Sequence, residues 1–464
     1  MSTDNNDPYP HKKPEKVVYI CNLSEDVWPF IQAITSDKAR AAEIEENANL
    51  ADRDLFTSSD ENELVFISPK QLNPQFVEYY SQLCNMKDLE ILVPSKHTGV
   101  ICDDICQDEK IINRLVEISN HVKKLTLTSY SATPQFFNLV RLLRSKGVTV
   151  YTPESPEEED AWTVNFFGSK SGIRQLAQKS VAAEPDFLIS DGLICVSILD
   201  AAKIAAKKYI KEDGVVIKTN KGHSGAGVLI FREGELSKIY EECQEQIYEV
   251  LAQDAYWDKF PIVIESLINV NPAVGGGFPN VEFKISKSGR IDYLYYCGLR
   301  VTNNGVFQGV EMNDDVMNDR LMTRIIDMGF FIGEQYAAAG YRGYYDVDLV
   351  AAKNNNLYVS ESNTRRTGGS HVYKAALELI GDDFMSDSYT LSNNSWHISC
   401  KPNFEQLYAK LSEVLFDKKT KEGLVITSAN LLSQGNLAYI VFAKNKKRAL
   451  EIEQRAQQLV EELS

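Results

Sequence analysis

The chain has 464 residues, enough for two or three separate cores, and its 44% hydrophobic and 25% charged content is that of a globular protein. A net charge of −16 opposes a phosphate backbone, and the basic clusters Lys207-Lys208, Lys418-Lys419 and Lys446-Lys447-Arg448 are short; nucleic acid is excluded as a general partner. No apolar run is long enough to cross a bilayer, so no membrane partner is expected.

The first sixteen residues, MSTDNNDPYPHKKPEK, are polar and broken by proline, lack the apolar core of a secretory signal, and read as a flexible tail (1–16). Over 17–155 the runs KVVYICNL, WPFIQAI, ELVFISP, QFVEYYSQL, EILVPS, KLTLTS, FFNLVRLLRSKG and VTVYTP alternate between strand and helix patterns. That order predicts βαβ units and a mostly parallel sheet, an α/β fold. Eight cysteines are scattered, several inside apolar runs such as VVYICNL and GLICVSIL, as expected for small buried hydrophobes in a reducing, cytoplasmic setting. Cys102 and Cys106 are spaced like a metal pair, yet no second pair or nearby histidine completes a tetrahedral set. The acid block PESPEEEDAW then interrupts the periodicity and predicts a linker or an exposed turn between domains. Beyond it a helix over 171–179 leads into a β-rich, glycine-bearing region (156–400), and a last segment (401–464) ends in a helix whose Ala449, Ile452, Ala456 and Leu459 recur at three and four.

Two strand-like runs, GVVIK and GVLIF, flank a loop that carries Gly222, Ser224, Gly225 and Gly227. Dinucleotide and P-loop turns need a helix after their glycines, so neither applies here. A glycine-rich hairpin can still close over phosphates with its backbone N–H groups, and Lys218, ending the first strand, would supply a point charge. The competing reading is a plain turn.

GYYDVDLVAAKNNNLYVSESN predicts a second hairpin, over 343–363. With the turn centred between Asn354 and Asn355, Asp348 lies opposite Glu361 and Asp346 opposite Asn363, all on one face. Clustered carboxylates repel one another without a counter-charge, but suit magnesium bridging nucleotide phosphates. A solvated strand face is the alternative. Next comes Thr364-Arg365-Arg366-Thr367-Gly368-Gly369-Ser370-His371, whose guanidinium forks could grip a phosphate or carboxylate, while His371 reads as structural. Glu265 ends the apolar run FPIVIE, an edge suited to a nucleotide's base and ribose; Glu282 and Arg300 are lone charges in strand patterns.

The ordered set of Lys170, Lys218, Glu265, Asp348, Glu361, Asn363 and Arg365, above all its Glu-x-Asn-x-Arg run, resembles the ATP-grasp superfamily over roughly 160–400. The ending ESNTRRTGGSHVY and the tail GLVITSANLLSQGNLAYIVF are similar to pheganomycin-type peptide ligases and to the butirosin-pathway ligase that loads glutamate on a carrier protein. The resemblance implies a Rossmann-like pre-ATP-grasp domain, a two-lobed ATP-grasp fold and a C-terminal α/β extension. It further implies ATP and Mg2+ as cofactors. Lys170, Lys218, Gly222, Ser224, Gly225, Gly227, Glu265 and Leu267 would line the ATP site, with Glu265 on the ribose, and Asp348, Glu361 and Asn363 would hold metal. Arg365 and Arg300 would steady the reacting centre. The implied reaction joins an amino-acid or peptide carboxylate to an amine through an acyl phosphate, releasing ADP and phosphate, in a cytoplasmic enzyme that is often a homodimer. Two other readings stand beside it: loading of a carrier-protein thiol, and a nucleotide-binding regulatory protein without turnover. Asp346 departs from the family pattern, which often has a small or neutral residue there, and leaves open which aspartate binds metal.

Overall fold

The computed structural model describes residues 16–59, 61, 63–223, 226–302 and 305–463; most of the N-terminal tail lies outside them. Parallel strands β1 (Lys16–Ile20), β2 (Glu63–Ile67), β3 (Asp88–Leu92), β4 (Leu125–Ser129) and β5 (Val150–Tyr151) form the first sheet, ordered β3-β2-β1-β4-β5. Both faces are buried: Val18, Ile20, Val65 and Ile67 pack on one side, Tyr19, Leu64 and Phe66 on the other. Such burial accounts for the near-continuous apolar runs of the sequence. Because β1 pairs with both β2 and β4, the winding reverses there, and the loops after β1 and β4 face one crevice.

Five further strands follow: β6 (Leu188–Ile189), β7 (Gly192–Cys195), β8 (Gly214–His223), β9 (Ala226–Arg232) and β10 (Ile262–Ser266). The last four form an antiparallel sheet ordered β7-β10-β8-β9. Helix Ile198–Glu212 covers one face, its Ala201, Ala202, Ala205 and Ala206 packing with Ile217, Ile262 and Ile264. Alternation turns Lys218 and Glu265 to the opposite face.

The largest sheet holds β11 (Pro279–Ile285), β12 (Ile291–Val301), β13 (Phe307–Met312), β14 (Gly343–Ala351), β15 (Leu357–Glu361), β16 (Tyr389–His397), β17 (Gly423–Ser428) and β18 (Asn436–Ala443), with β6 at its end. Its order is β17-β18-β16-β13-β12-β11-β14-β15-β6. Helix Asp319–Ala338 packs on Val281, Phe283, Tyr345 and Val347, leaving Asn280, Glu282, Asp346 and Asp348 on the other face. The sheet runs across residue 400, since β18 pairs with both β16 and β17; the runs LVITS and LAYIVF bury their apolar faces by extending it. In the acid block Glu157, Glu158 and Glu159 are exposed, while Glu154 is half-buried, 2.6 Å from both Lys284 Nζ and Arg366 Nη2. Among the described residues no helix is long and apolar enough to cross a membrane.

Candidate active site

Ser169 caps the helix Lys170–Ser180, its side chain accepting from the Gly172 N–H at 3.0 Å. Gly172 is needed for the close approach of the preceding turn, as a Cβ there would lie 1.8 Å from the Phe166 carbonyl oxygen. Lys170 and Arg174, one turn apart, share a face of this helix. Lys170 Nζ lies 2.5 Å from Glu361 Oε2, and Arg174 Nη2 lies 2.6 Å from Glu265 Oε1. From β8, Lys218 Nζ reaches Glu265 Oε2 at 2.7 Å and donates to Ser360 Oγ at 3.0 Å. A belt of alternating charges therefore ties the helix to both neighbouring sheets. Glu265, expected on a ribose, has each oxygen engaged by a cation and here braces Lys218.

In the acidic hairpin Asp348 faces Glu361, and the Asp346 N–H donates to the Asn363 carbonyl at 3.0 Å, the pairing expected from the sequence. The inner ladder differs: Leu349 faces Val359 and Ala351 faces Leu357, so the turn is centred on Asn354. Ser360 is the extra residue of a β-bulge that restores the outer register, and it is the residue that receives Lys218. Asn280 on β11 bridges the two aspartates, its Nδ2 lying 3.0 Å from Asp346 Oδ2 and 2.7 Å from Asp348 Oδ1. Asn363 does the same from the other side, at 3.0 Å from Asp346 Oδ1 and 3.2 Å from Asp348 Oδ2. Burial, then the charge of Glu361, pushes the Asp348 carboxyl up to about 7. Burial would raise Glu361 as well, but the Lys170 ammonium outweighs it and holds that carboxyl at about 2. Asp346 is raised well above its ordinary value by burial and by Asp348 and Glu282.

A cleft is lined by Asp26, Gly168, Lys170, Lys221, Gly222, Glu361, Asn363, Thr364 and Arg365. Arg365 Nε lies 2.7 Å from Asp26 Oδ2, and Arg366 Nη1 donates to the Ser129 carbonyl at 2.7 Å, so the arginine segment docks on the crevice after β1 and β4. Gly227 has φ +82° in the flap, where a Cβ would meet Thr219 Cγ2 at 2.2 Å. Ser224 and Gly225 lie outside the described residues. Leu267 is half-buried against Gly214.

Arg300 does not join the cluster. Three positions after Cys297, which faces Asn280, it projects from the opposite side of β12, where its guanidinium grips Glu453 at 2.8 and 3.1 Å. Sequence reasoning missed Asp26, Lys221, Arg174 and Asn280. Asp26 was findable, since it follows β1 at the winding reversal; Asn280 was not, because its place opposite Asp348 depends on a pairing between distant strands.

Among the described residues no group of three His, Cys, Asp or Glu side chains is arranged to hold a metal alone. Two carboxylates and an amide, Glu361, Asp348 and Asn363, suit magnesium, which commonly takes one or two carboxylates and completes its shell with phosphate oxygens and water.

No protein-family model matches the chain. It is 24% identical over 345 residues to the L-propargylglycine–L-glutamate ligase of Streptantibioticus cattleyicolor, a match spanning 68% of this chain and 66% of that ligase. Among solved structures, biotin carboxylase from Campylobacter jejuni superposes with TM-score 0.56 at 13% identity, covering 95% of this chain and 90% of that one. The carboxyaminoimidazole ribonucleotide synthase of Aspergillus clavatus, complexed with ATP, gives TM-score 0.54 at 10% identity, covering 97% and 99%. N5-carboxyaminoimidazole ribonucleotide synthetase from Thermus thermophilus gives 0.53 at 11% identity, covering 96% and 98%. All of these are ATP-grasp enzymes, and the chain has the ATP-grasp fold that these solved structures share.

Proposed function

We propose that the chain is an ATP-dependent carboxylate–amine ligase that forms an amide and releases ADP and phosphate. The observation that carries this reading is the convergence of Lys170, Lys218, Asp348, Glu361 and Asn363, drawn from a helix and two sheets, on one cluster beside Arg365. The match to a ligase that, by its name, joins two amino acids points the same way.

Lys170 and Lys218 hold the oxygens of the transferred phosphoryl group, and the glycine flap closes over them and keeps water out. Asp348, Glu361 and Asn363 would hold magnesium, which when bound would supply positive charge against the negative charge that develops on the phosphoryl group. Asp346, with both oxygens already accepting amide hydrogens, orients Asn363. Arg365, fixed at Nε by Asp26, faces the cleft and steadies the carboxylate oxygen on which the acyl phosphate forms, then the oxyanion raised when the amine attacks. The substrates so implied are an amino-acid or peptide carboxylate and an amine.

The test is ADP and phosphate release with Mg2+-ATP over amino acids and short peptides, paired as acid and amine donors, with products weighed by mass spectrometry. The expected result is release that depends on a particular pair and an amide product. ATP binding without ADP formation for any pair sinks the reading.

A further inference from the structure

At the junction between the first sheet and the segment after Arg365 lies a second polar cluster that the proposed chemistry does not use. Arg53 is buried, and its Nη2 lies 3.8 Å from Asp54 Oδ1, too far for a hydrogen bond. Among the described residues its Nε has no hydrogen-bond partner. The other oxygen of Asp54, Oδ2, accepts from Tyr19 Oη at 2.9 Å. His371, at the start of the helix Ser370–Leu379, is 1% exposed, and neither ring nitrogen has a partner among the described residues. Burial and the Arg53 charge keep its imidazole neutral, with one N–H to donate. Tyr130 links this cluster to the cleft: its hydroxyl is 3.5 Å from Arg365 Nη1, and it feels the charges of Arg53 and Asp54 as well as those of Arg365 and Asp26.

A buried guanidinium without a bidentate partner is costly, and a planar carboxylate is the group that matches its fork. The location agrees, since open parallel sheets take ligands outside the carboxyl ends of their strands where the winding reverses, and Tyr130 follows β4 at that reversal. The activated carboxylate must lie at the phosphate cleft, and a monocarboxylic acyl donor has no second one, so with such a donor a carboxylate bound here belongs to the other substrate. Resting on the ligase reading above, we propose that Arg53 and His371 hold the free carboxylate of the amine-donating substrate, which is therefore an amino acid or a peptide with a free C-terminus. A carrier-protein thiol has no such group.

The test compares amino acids with their carboxamides as amine donors in the ADP-release assay. With wild type, free acids are used and carboxamides are poor. Arg53→Gln is expected to raise KM for the amino acid about 10- to 100-fold, the worth of a charge-assisted pair, and to erase its preference over the carboxamide. KM for ATP should stay within about twofold. Arg53→Lys keeps the charge and loses the fork; it decides the matter if the glutamine variant does not fold, and should raise the same KM with ATP unaffected. An unchanged KM and an intact acid-over-amide preference in Arg53→Lys overturn the proposal while leaving the ligase reading in place. Wild type that uses carboxamides as well as acids overturns it too. Failure of wild type to release ADP with any pair removes both.

Discussion

Glu361 lies 2.5 Å from Lys170 and faces Asp348, so one carboxylate both fixes a lysine and offers a metal ligand. Glu361→Gln keeps the shape and removes the charge. Turnover by ADP release is expected to fall by about two orders of magnitude or more, with circular dichroism unchanged; activity within a few-fold of wild type would refute the assignment. The two arginines that the resemblance puts at the reacting centre separate cleanly under substitution. Arg365→Ala should abolish turnover, because its guanidinium lines the cleft. Arg300→Ala should instead lower the melting temperature, since it leaves Glu453 buried with Tyr439 alone, a loss of about 3 kcal/mol for a broken ion pair, while kcat at low temperature stays near wild type. A large kcat loss with unaltered melting in Arg300→Ala would reverse that view.

The two hairpins divide the labour of positioning. In the flap, Gly227 sits at φ +82°, and a Cβ would run into Thr219. Gly227→Ala is expected to disturb the hairpin by about 1–2 kcal/mol from the left-handed backbone, before the clash is counted, and to raise KM for ATP more than it lowers kcat. A titration with ATP at saturating second substrate would read that split. In the acidic hairpin, alternation and pairing were enough to place Asp348 opposite Glu361 from the sequence, because both depend on a local turn. The Ser360 bulge was not legible. It displaces the turn by half a residue, and an error in the assumed centre and an unseen extra residue cancelled at the one pair that matters. Residues set by distant pairing, such as Asn280 against Asp348, leave no periodic trace.

Across the whole molecule, the first sheet is joined to the last quarter of the chain by buried polar contacts, and that closure holds the crevice against the arginine segment. Asp52 is the clearest tie: its Oδ2 accepts from the Ala429 and Asn430 N–H groups at 2.7 and 2.8 Å, at the start of the helical turn Asn430–Gln434. Burial pushes this carboxyl up to about 6, with hydrogen bonds from Ser428 and the backbone offsetting only part of the effect. An acid raised on folding favours the native state while it is protonated. Its contribution is therefore complete below the unfolded value of about 4 and is lost as pH climbs through about 6. Asp52→Asn keeps an oxygen for both N–H donors without the buried charge. It is expected to match wild type in melting at pH 4 and to exceed it at pH 8, by on the order of 3 kcal/mol for a shift of about two units. Equal melting at both pH values would mean that the charge is solvated and that the junction between the first sheet and the C-terminal strands is open to water.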